Sequence, residues 1–394
     1  MIRRLAPQRP TGKVFAMRRH PLRHVRRGNT LVLSAILMVA MMGMIAFSVD
    51  LGYLYNVRTE MQRASDAAAI AACWELIDPG IVNGTSNSSL LTNNARSKAQ
   101  QYVGYNAITQ SAAELTNDDV SVGYIADPTD PSSPFLTIGY SGAPNAVRVN
   151  IRRTSQQNGA VPLFFGPVLG VNSANLISEA TAAYLPGIDG FKTPSDGSNL
   201  CFLPYALDET TWDGMLLGGG SDSHRFLDSN GAVSSGVDGI REVNLFPQGT
   251  GSPGNRGTVD IGGANNSTSD IARQIVNGIS PQDMAQLPGN KLEFDSDGKL
   301  YLNGDTGISA GVKDELASII GQTRMIPIFS NVTGNGNNAT YTIVKFVGIR
   351  VMHVKLTGSN KQVIVQPAVV LSKGGIPTTT PRSNYIYSPV WLVR

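Results

Sequence analysis

From Gly28 to Val49 the chain runs through 22 residues without a charge, GNTLVLSAILMVAMMGMIAFSV, and this stretch constrains the fold more than any other. A helix rises about 1.5 Å per residue, so roughly 20 residues cross the ~30 Å of bilayer hydrocarbon. A helix is also the one single segment that satisfies its own backbone polar groups in lipid. Nine Lys/Arg precede the run (Arg3, Arg4, Arg9, Lys13, Arg18, Arg19, Arg23, Arg26 and Arg27), with no Asp or Glu among residues 1–27. The whole chain carries +3, which leaves −6 for residues 28–394, so the basic character belongs to the tail alone. Lys and Arg accumulate on the cytoplasmic side of a span. Arg18, Arg19, Arg23, Arg26 and Arg27, nearest the span, therefore act as the topology signal. They keep the tail inside and send everything after Asp50 out. A basic tail explained by topology gives no reason to invoke nucleic acid.

Three rival readings compete with a transmembrane anchor. Ala46-Phe47-Ser48 fits a small-x-small signal-peptidase site, but 22 uncharged positions exceed the usual 7–15-residue apolar core of a signal peptide. A buried core helix would carry more polar residues than Asn29, Thr30, Ser34 and Ser48. Arg18-Arg19 and Arg26-Arg27 suggest a twin-arginine signal, yet the residues after them do not follow that pattern. Met17 is an alternative start that still leaves enough positive charge to orient the span.

Beyond Asp50, residues Leu54, Val57, Met61, Ala64, Ala68 and Ala71 recur at alternating spacings of three and four, which places them on one stripe of a helix. Thr59, Gln62, Arg63 and Asp66 fall near the opposite face. Asp78-Pro79-Gly80 ends the pattern. Only the isolated Gly43 and Gly52 interrupt residues 31–77, so one long helix is expected, half in lipid and half outside. The alanines permit close approach of another backbone. That backbone is either the chain's own body or a second helix, in which case the stripe supports self-association.

The remainder carries most of the 42 Gly and 22 Pro and reads as turn-rich and β-rich. Ala95–Tyr105 fits a short helix. Residues 146–152 alternate apolar and polar as a half-buried strand does, and Leu176–Tyr184 reads as another. Pro186-Gly187, Gly190, Pro194 and Gly197 mark a boundary near residue 190. Past it, 292–294 and 299–302 flank a turn at Asp295-Ser296-Asp297-Gly298 and are expected to form a hairpin. A calcium loop is the weaker reading, because its twelfth position falls on Gly304. Ser309–Gly321 reads as a helix. Tyr341–Leu356 and Gln362–Leu371 read as long strands joined in a hairpin, and Tyr385–Val393 as a final strand.

Several of these residues resemble a known N-terminal signature. Arg26-Arg27-Gly28, the apolar span, Val49-Asp50-Leu51-Gly52, Arg58, and Gln62-Arg63-Ala64-Ser65-Asp66-Ala67-Ala68-Ala69-Ile70-Ala71-Ala72 are similar to the start of TadG-like (TadE/TadG) Flp pilus-assembly proteins. Val161–Gly166 and Ile177–Ala183 are similar to the phenylalanine-Gly segment and A-T-A strand of that family. The resemblance implies an inner-membrane component of the machinery that builds adhesive Flp pili. It nominates Asp50, Gly52, Arg58, Gln62, Ala64, Asp66 and Ala68 as family-motif residues, and other pilus-assembly proteins as partners. Gly28 is followed by Asn29 to Leu33 without an acid, so prepilin-type processing is not expected. The D-x-S-x-S metal run of larger members is incomplete at Asp130-Pro131-Ser132 and at Asp196-Gly197-Ser198.

Enzymatic signals are weak. None of His20, His24, His224 and His353 sits in an H-E-x-x-H pattern or near paired cysteines. The Gly-rich 215–220 lacks the Gly-Lys-Ser/Thr ending of a phosphate loop. Gly307-Ile308-Ser309-Ala310-Gly311 has the spacing of a nucleophile elbow, but a polar turn stands where the elbow's strand should be, and Ser309 serves equally as a helix N-cap. Cys73 and Cys201 both lie on the exported side. They are either bridged, which would contribute about 4–5 kcal/mol by the chain-entropy argument, or two buried free thiols.

The expected fold class is α+β: a single N-terminal transmembrane helix extended by an Ala-rich helix, followed by a mostly β exported body. The segments are a basic cytoplasmic tail (1–27), the transmembrane helix (28–49), an exported Ala-rich helix (50–77), a TadG-like exported region (78–189) and a β-rich C-terminal domain (190–394). The expected function is a non-enzymatic, single-pass inner-membrane component of a Flp (Tad, type IVb) pilus system, acting in adhesion or pilus biogenesis, with the lipid bilayer as partner and no cofactor. The alternative is an envelope module that binds a glycan or protein, unrelated to pili.

Overall fold

The structure is a computed structural model that describes residues 29–140, 142–227, 229–245, 256–262, 267–305, 310–334, 336–358 and 361–393. The five topology arginines and Ser309 lie outside the described residues.

Helix α1 runs unbroken over Asn29–Trp74, 46 residues, through both Gly43 and Gly52. A lone interior glycine costs about 1 kcal/mol relative to alanine, too little to break a helix this long. Three tighter bonds finish it, from the N–H groups of Glu75, Leu76 and Ile77 to the carbonyls of Ala72, Cys73 and Trp74. The Asp78-Pro79-Gly80 signal acts just afterwards. The Asp78 carboxylate accepts from Gly80 N at 2.8 Å and opens a separate 3-10 turn over Pro79–Asn83.

The described residues form two compact units: 29–53 with Leu163–Asn172, and Leu54–Pro162 with Ser173 onward. The first holds the apolar half of α1, whose side chains from Leu31 to Val49 are exposed around its circumference, apart from the half-buried Ala46.

In the second unit, helix α2 (Ser88–Tyr105) extends seven residues further toward the N-terminus than the expected 95–105. Asn87 caps it, accepting from Ser89 N and Leu90 N. Its buried residues Leu91, Ala95, Ala99 and Val103 recur every fourth position along one face. A four-stranded antiparallel sheet runs in the order 120–123, 146–153, 176–183, 391–392, with Val149 opposite both Val120 and Ala180. The two strands expected at 146–152 and 176–184 are its centre. The last strand-like segment splits into Ile386–Tyr387 and Trp391–Leu392, which join different sheets.

Further along, five strands close into a ring by pairing 339–355 with 300–305, then 256–259, 205–208 and 323–333, and back to 339–355. Closure leaves those strands no open edge to template aggregation. Ala339–Lys355 is shared in succession along its length. Residues 339–343 pair with 304–300, 346–347 with 383–384, and 349–355 with 367–362. The last of these is the expected hairpin. The other expected hairpin is corrected. The turn forms, with Asp295 Oδ1 accepting from Asp297 N and Lys299 N, but 291–293 pairs with 188–192 and 300–305 joins the ring. The helix expected at 309–321 is shorter, a 3-10 turn at Ala310–Val312 leading into Lys313–Ser318.

Two apolar clusters fill this part. One centres on Phe191, Phe202 and Phe346, mutually edge-to-face at 5.1–5.5 Å. The other gathers around Trp212, Val347, Ile349 and Val351. A register shift opposite Ile328/Phe329 skips Val344. Ala339, Tyr341 and Ile343 face the first cluster before it, and Phe346 faces that cluster after it. One extra residue thus exchanges the two faces of the strand.

Candidate functional site

The most elaborate polar arrangement in the first unit is built on Asp50, the residue that follows the uncharged run. It is 7% exposed although it sits on a helix whose neighbours Val49 and Leu51 are open. Its carboxylate takes the backbone of a distant loop. Phe164 N–H donates to Oδ1 at 2.7 Å, Phe165 N–H to both oxygens at 3.2 and 3.1 Å, and Gly166 N–H to Oδ2 at 2.7 Å. A carboxylate removed from water beside apolar surface is costly unless its lone pairs are filled, and three amide donors fill them. The Tyr53 and Phe164 rings meet edge-on, centroids 5.0 Å apart.

The loop, Leu163-Phe-Phe-Gly-Pro-Val-Leu-Gly-Val-Asn172, folds so that these amides point one way. Leu163 N–H donates to Asn172 O, and a 3-10 turn over Gly166–Leu169 ends at Gly170, whose φ of 81° suits glycine. Gly166 has no room for a side chain: a Cβ there would lie 2.4 Å from Val171 O and 2.7 Å from Leu163 Cδ1. The run and Asp50 are both legible in sequence as separate motifs. Nothing local shows that they meet across 114 residues.

The other family-motif residues divide by place. Gly52 and Arg58 are exposed. In the second unit Ala64 and Ala68 are fully buried with Val57, Met61, Ala72 and Cys73. Gln62 Nε2 donates to Asp66 Oδ1 at 2.8 Å and to Glu179 O at 3.1 Å, which ties the helix to the strand Leu176–Ala183. Glu60 accepts from Thr109 N at 2.8 Å and Glu75 pairs with Lys98 at 3.2 Å. The alanine stripe is thus buried within its own chain's unit.

Cys73 and Cys201 are both free thiols, so the bridge that the sequence allows is not formed. Cys73 Sγ instead donates to Asn145 O at 3.6 Å, and burial pushes both thiols' pKa up. Asn145 is a hub the sequence reading missed. Wholly buried, it donates to Ile125 O and Tyr184 O and accepts from Ile125 N, at 2.8–2.9 Å. Asp119 is a second. It accepts from Arg152 Nε at 2.9 Å, Gln157 Nε2 at 2.6 Å, and Thr116 N and Oγ1 at 2.8 Å. Burial by itself would raise its carboxyl pKa, but these hydrogen bonds and the Arg152 charge hold it below the usual range.

His353 stacks on His224 at 5.3 Å, and His224 Nδ1 meets the buried Glu242 at 3.1 Å. Burial, with His224 alongside, lowers the His353 pKa. Among the described residues no group of three or more His, Cys, Asp or Glu converges as a metal site.

Comparison with protein families gives two matches. Residues 28–75 match the family described as "Putative Flp pilus-assembly TadE/G-like", and residues 81–182 match "Putative Tad-like Flp pilus-assembly". Comparison with curated proteins and with solved structures gives no match. Asp50 and Gln62 lie in the first match, the Phe164–Gly166 amides and Glu179 in the second, so the two matched regions are hydrogen-bonded to each other at both places. Residues 28–75 and 81–182 are thus similar to two families of Flp pilus-assembly proteins, the first of them TadE/G-like.

Proposed function

We propose that the chain is a structural component of a Flp (Tad, type IVb) pilus-assembly system. It is held in the inner membrane by residues 28–49, with residues 1–27 in the cytoplasm and residues 50–394 outside. Within the exported part, 50–77 is the Ala-rich connector, 78–189 the TadG-like region and 190–394 a β-rich domain that presents surface to other pilus components. The observation that carries the reading is the apolar half of α1, exposed from Leu31 to Val49 inside a stretch that matches a Flp pilus-assembly family. Surface of that length and hydrophobicity is stable in lipid and not in water. The role is non-enzymatic: scaffolding that supports pilus biogenesis and adhesion.

The test is envelope fractionation followed by crosslinking and affinity capture of the full chain. Recovery with the inner membrane, protease access to the region after residue 50 in spheroplasts, and co-capture of pilus-assembly components are expected. A product found free in the cytosol would overturn the anchor. A membrane-bound product whose deletion leaves piliation and adherence unchanged would overturn the pilus role.

A further inference from the structure

We propose that the loop Leu163–Asn172 is a second membrane contact, a wedge lying in the interfacial layer of the phospholipid leaflet from which α1 emerges. The proposal rests on the reading of α1 as the membrane anchor, and three observations on this loop carry it.

The first is its surface. The ten residues carry no charge, and Phe164, Phe165, Val168, Leu169 and Val171 are all exposed, Val168 by 85% and Leu169 by 79%. Single exposed apolar residues are ordinary, but five within ten positions form a patch of the kind that marks an interaction site. The second is position. Asp50 follows the last residue of the uncharged run directly, and its carboxylate grips the loop at Phe164–Gly166. The loop is therefore held at the turn of helix where the span ends. The Phe164 ring also meets Tyr53, and Phe47, Val49 and Leu51, on either side of Asp50 along the helix, are exposed as the loop is. The occupant that already covers that surface in the anchor reading is lipid.

The third observation is the backbone. An irregular segment enters an apolar layer only when its N–H groups are satisfied from within the protein. Here Phe164, Phe165 and Gly166 donate to Asp50, Leu163 to Asn172 O, Val168 to Phe165 O, Gly170 to Pro167 O, and Val171 to Gly166 O. Phenylalanines at the base and aliphatic side chains at the tip suit a segment with its apolar face roughly 5–10 Å into the headgroup–acyl boundary.

The test uses the full chain in phosphatidylcholine–phosphatidylglycerol vesicles. Leu169→Cys, Met38→Cys and Leu217→Cys each receive an environment-sensitive fluorophore. Cys73 is buried and Cys201 half-buried, and wild-type protein taken through the same labelling serves as the blank. Nitroxide lipids carrying the quencher near the headgroup or near the bilayer centre report depth, and iodide reports water. The probe at 169 is expected to be blue-shifted and quenched by the shallow lipid. The probe at 38 should respond to the deep lipid and the probe at 217 only to iodide. A probe at 169 that responds to iodide alone, while 38 is quenched by lipid, overturns the wedge and leaves the anchor standing. Quenching of 38 by neither lipid overturns both. A probe at 169 shielded from lipid and iodide alike means that protein covers the loop, which also overturns the proposal. Val168→Cys repeats the measurement at a neighbouring exposed position.

Discussion

Asp50→Asn separates the charge of the joint from its shape. The amide keeps one acceptor oxygen and replaces the other with an NH2 group, so either the Gly166 or the Phe164 amide, each 2.7 Å from a carboxylate oxygen, faces a donor. Hydrogen bonds to a charged acceptor contribute about 1.5–3 kcal/mol each, and a stranded buried donor costs about 1–3 kcal/mol. Losing one such bond and the charge from the others comes to about 2–4 kcal/mol. At about 1.4 kcal/mol per factor of ten, the loop's amides should exchange roughly 30- to 700-fold faster. Hydrogen exchange on full-length protein in nanodiscs, read on peptides covering 163–172 and on controls covering 339–355, measures this. Acceleration confined to the loop is expected, because the controls belong to the other compact unit. Unchanged protection of the Phe164, Phe165 and Gly166 amides would refute the assignment of the carboxylate as the clasp. Equal acceleration in 339–355 would refute the claim that the effect is local.

Gly166→Ala places a methyl group against Val171 O and Leu163 Cδ1, and should loosen the same loop peptides without touching Asp50. Ala68→Leu overfills a fully buried helix contact and should lower stability by about 1–3 kcal/mol in denaturant titrations of the detergent-solubilised chain. Phe346→Ala, at the meeting point of Phe191, Phe202 and Phe294, should cost about 3–5 kcal/mol by the same measurement. Asp119 has a folded pKa depressed by its donors and by Arg152. Its contribution is therefore complete above the unfolded value of about 3.9 and is lost as pH falls through the lower folded value. Asp119→Asn should flatten the acid limb of a stability–pH curve below about pH 4 and lower the plateau above it.

Local periodicity and composition were enough, from the residues alone, to read the long apolar helix, the one-sided stripe from Leu54 to Ala71, the strands near 146–153 and 176–183, and the α+β class. Each of those signals is written within a single helix or one strand length, where side-chain spacing and burial are tied directly. The family resemblance was legible for the same reason, being a pattern of polar positions at set distances from the span. Features that depend on chain segments meeting across long separations were decided only by the tertiary structure. Cys73 and Cys201 could have been bridged on composition and compartment, yet Cys73 faces Asn145 and both thiols stay free. The 292–302 turn looked like a hairpin because the sequence displays the turn but not the partners, which lie at 188–192 and 339–343. The skipped residue Val344 exchanges the faces of a 17-residue strand, an effect that no alternation count anticipates. Asp50 and Phe164–Gly166 each stood out separately. Their pairing required the fold, because a carboxylate's preference for amide donors is the same wherever in the chain those donors happen to be.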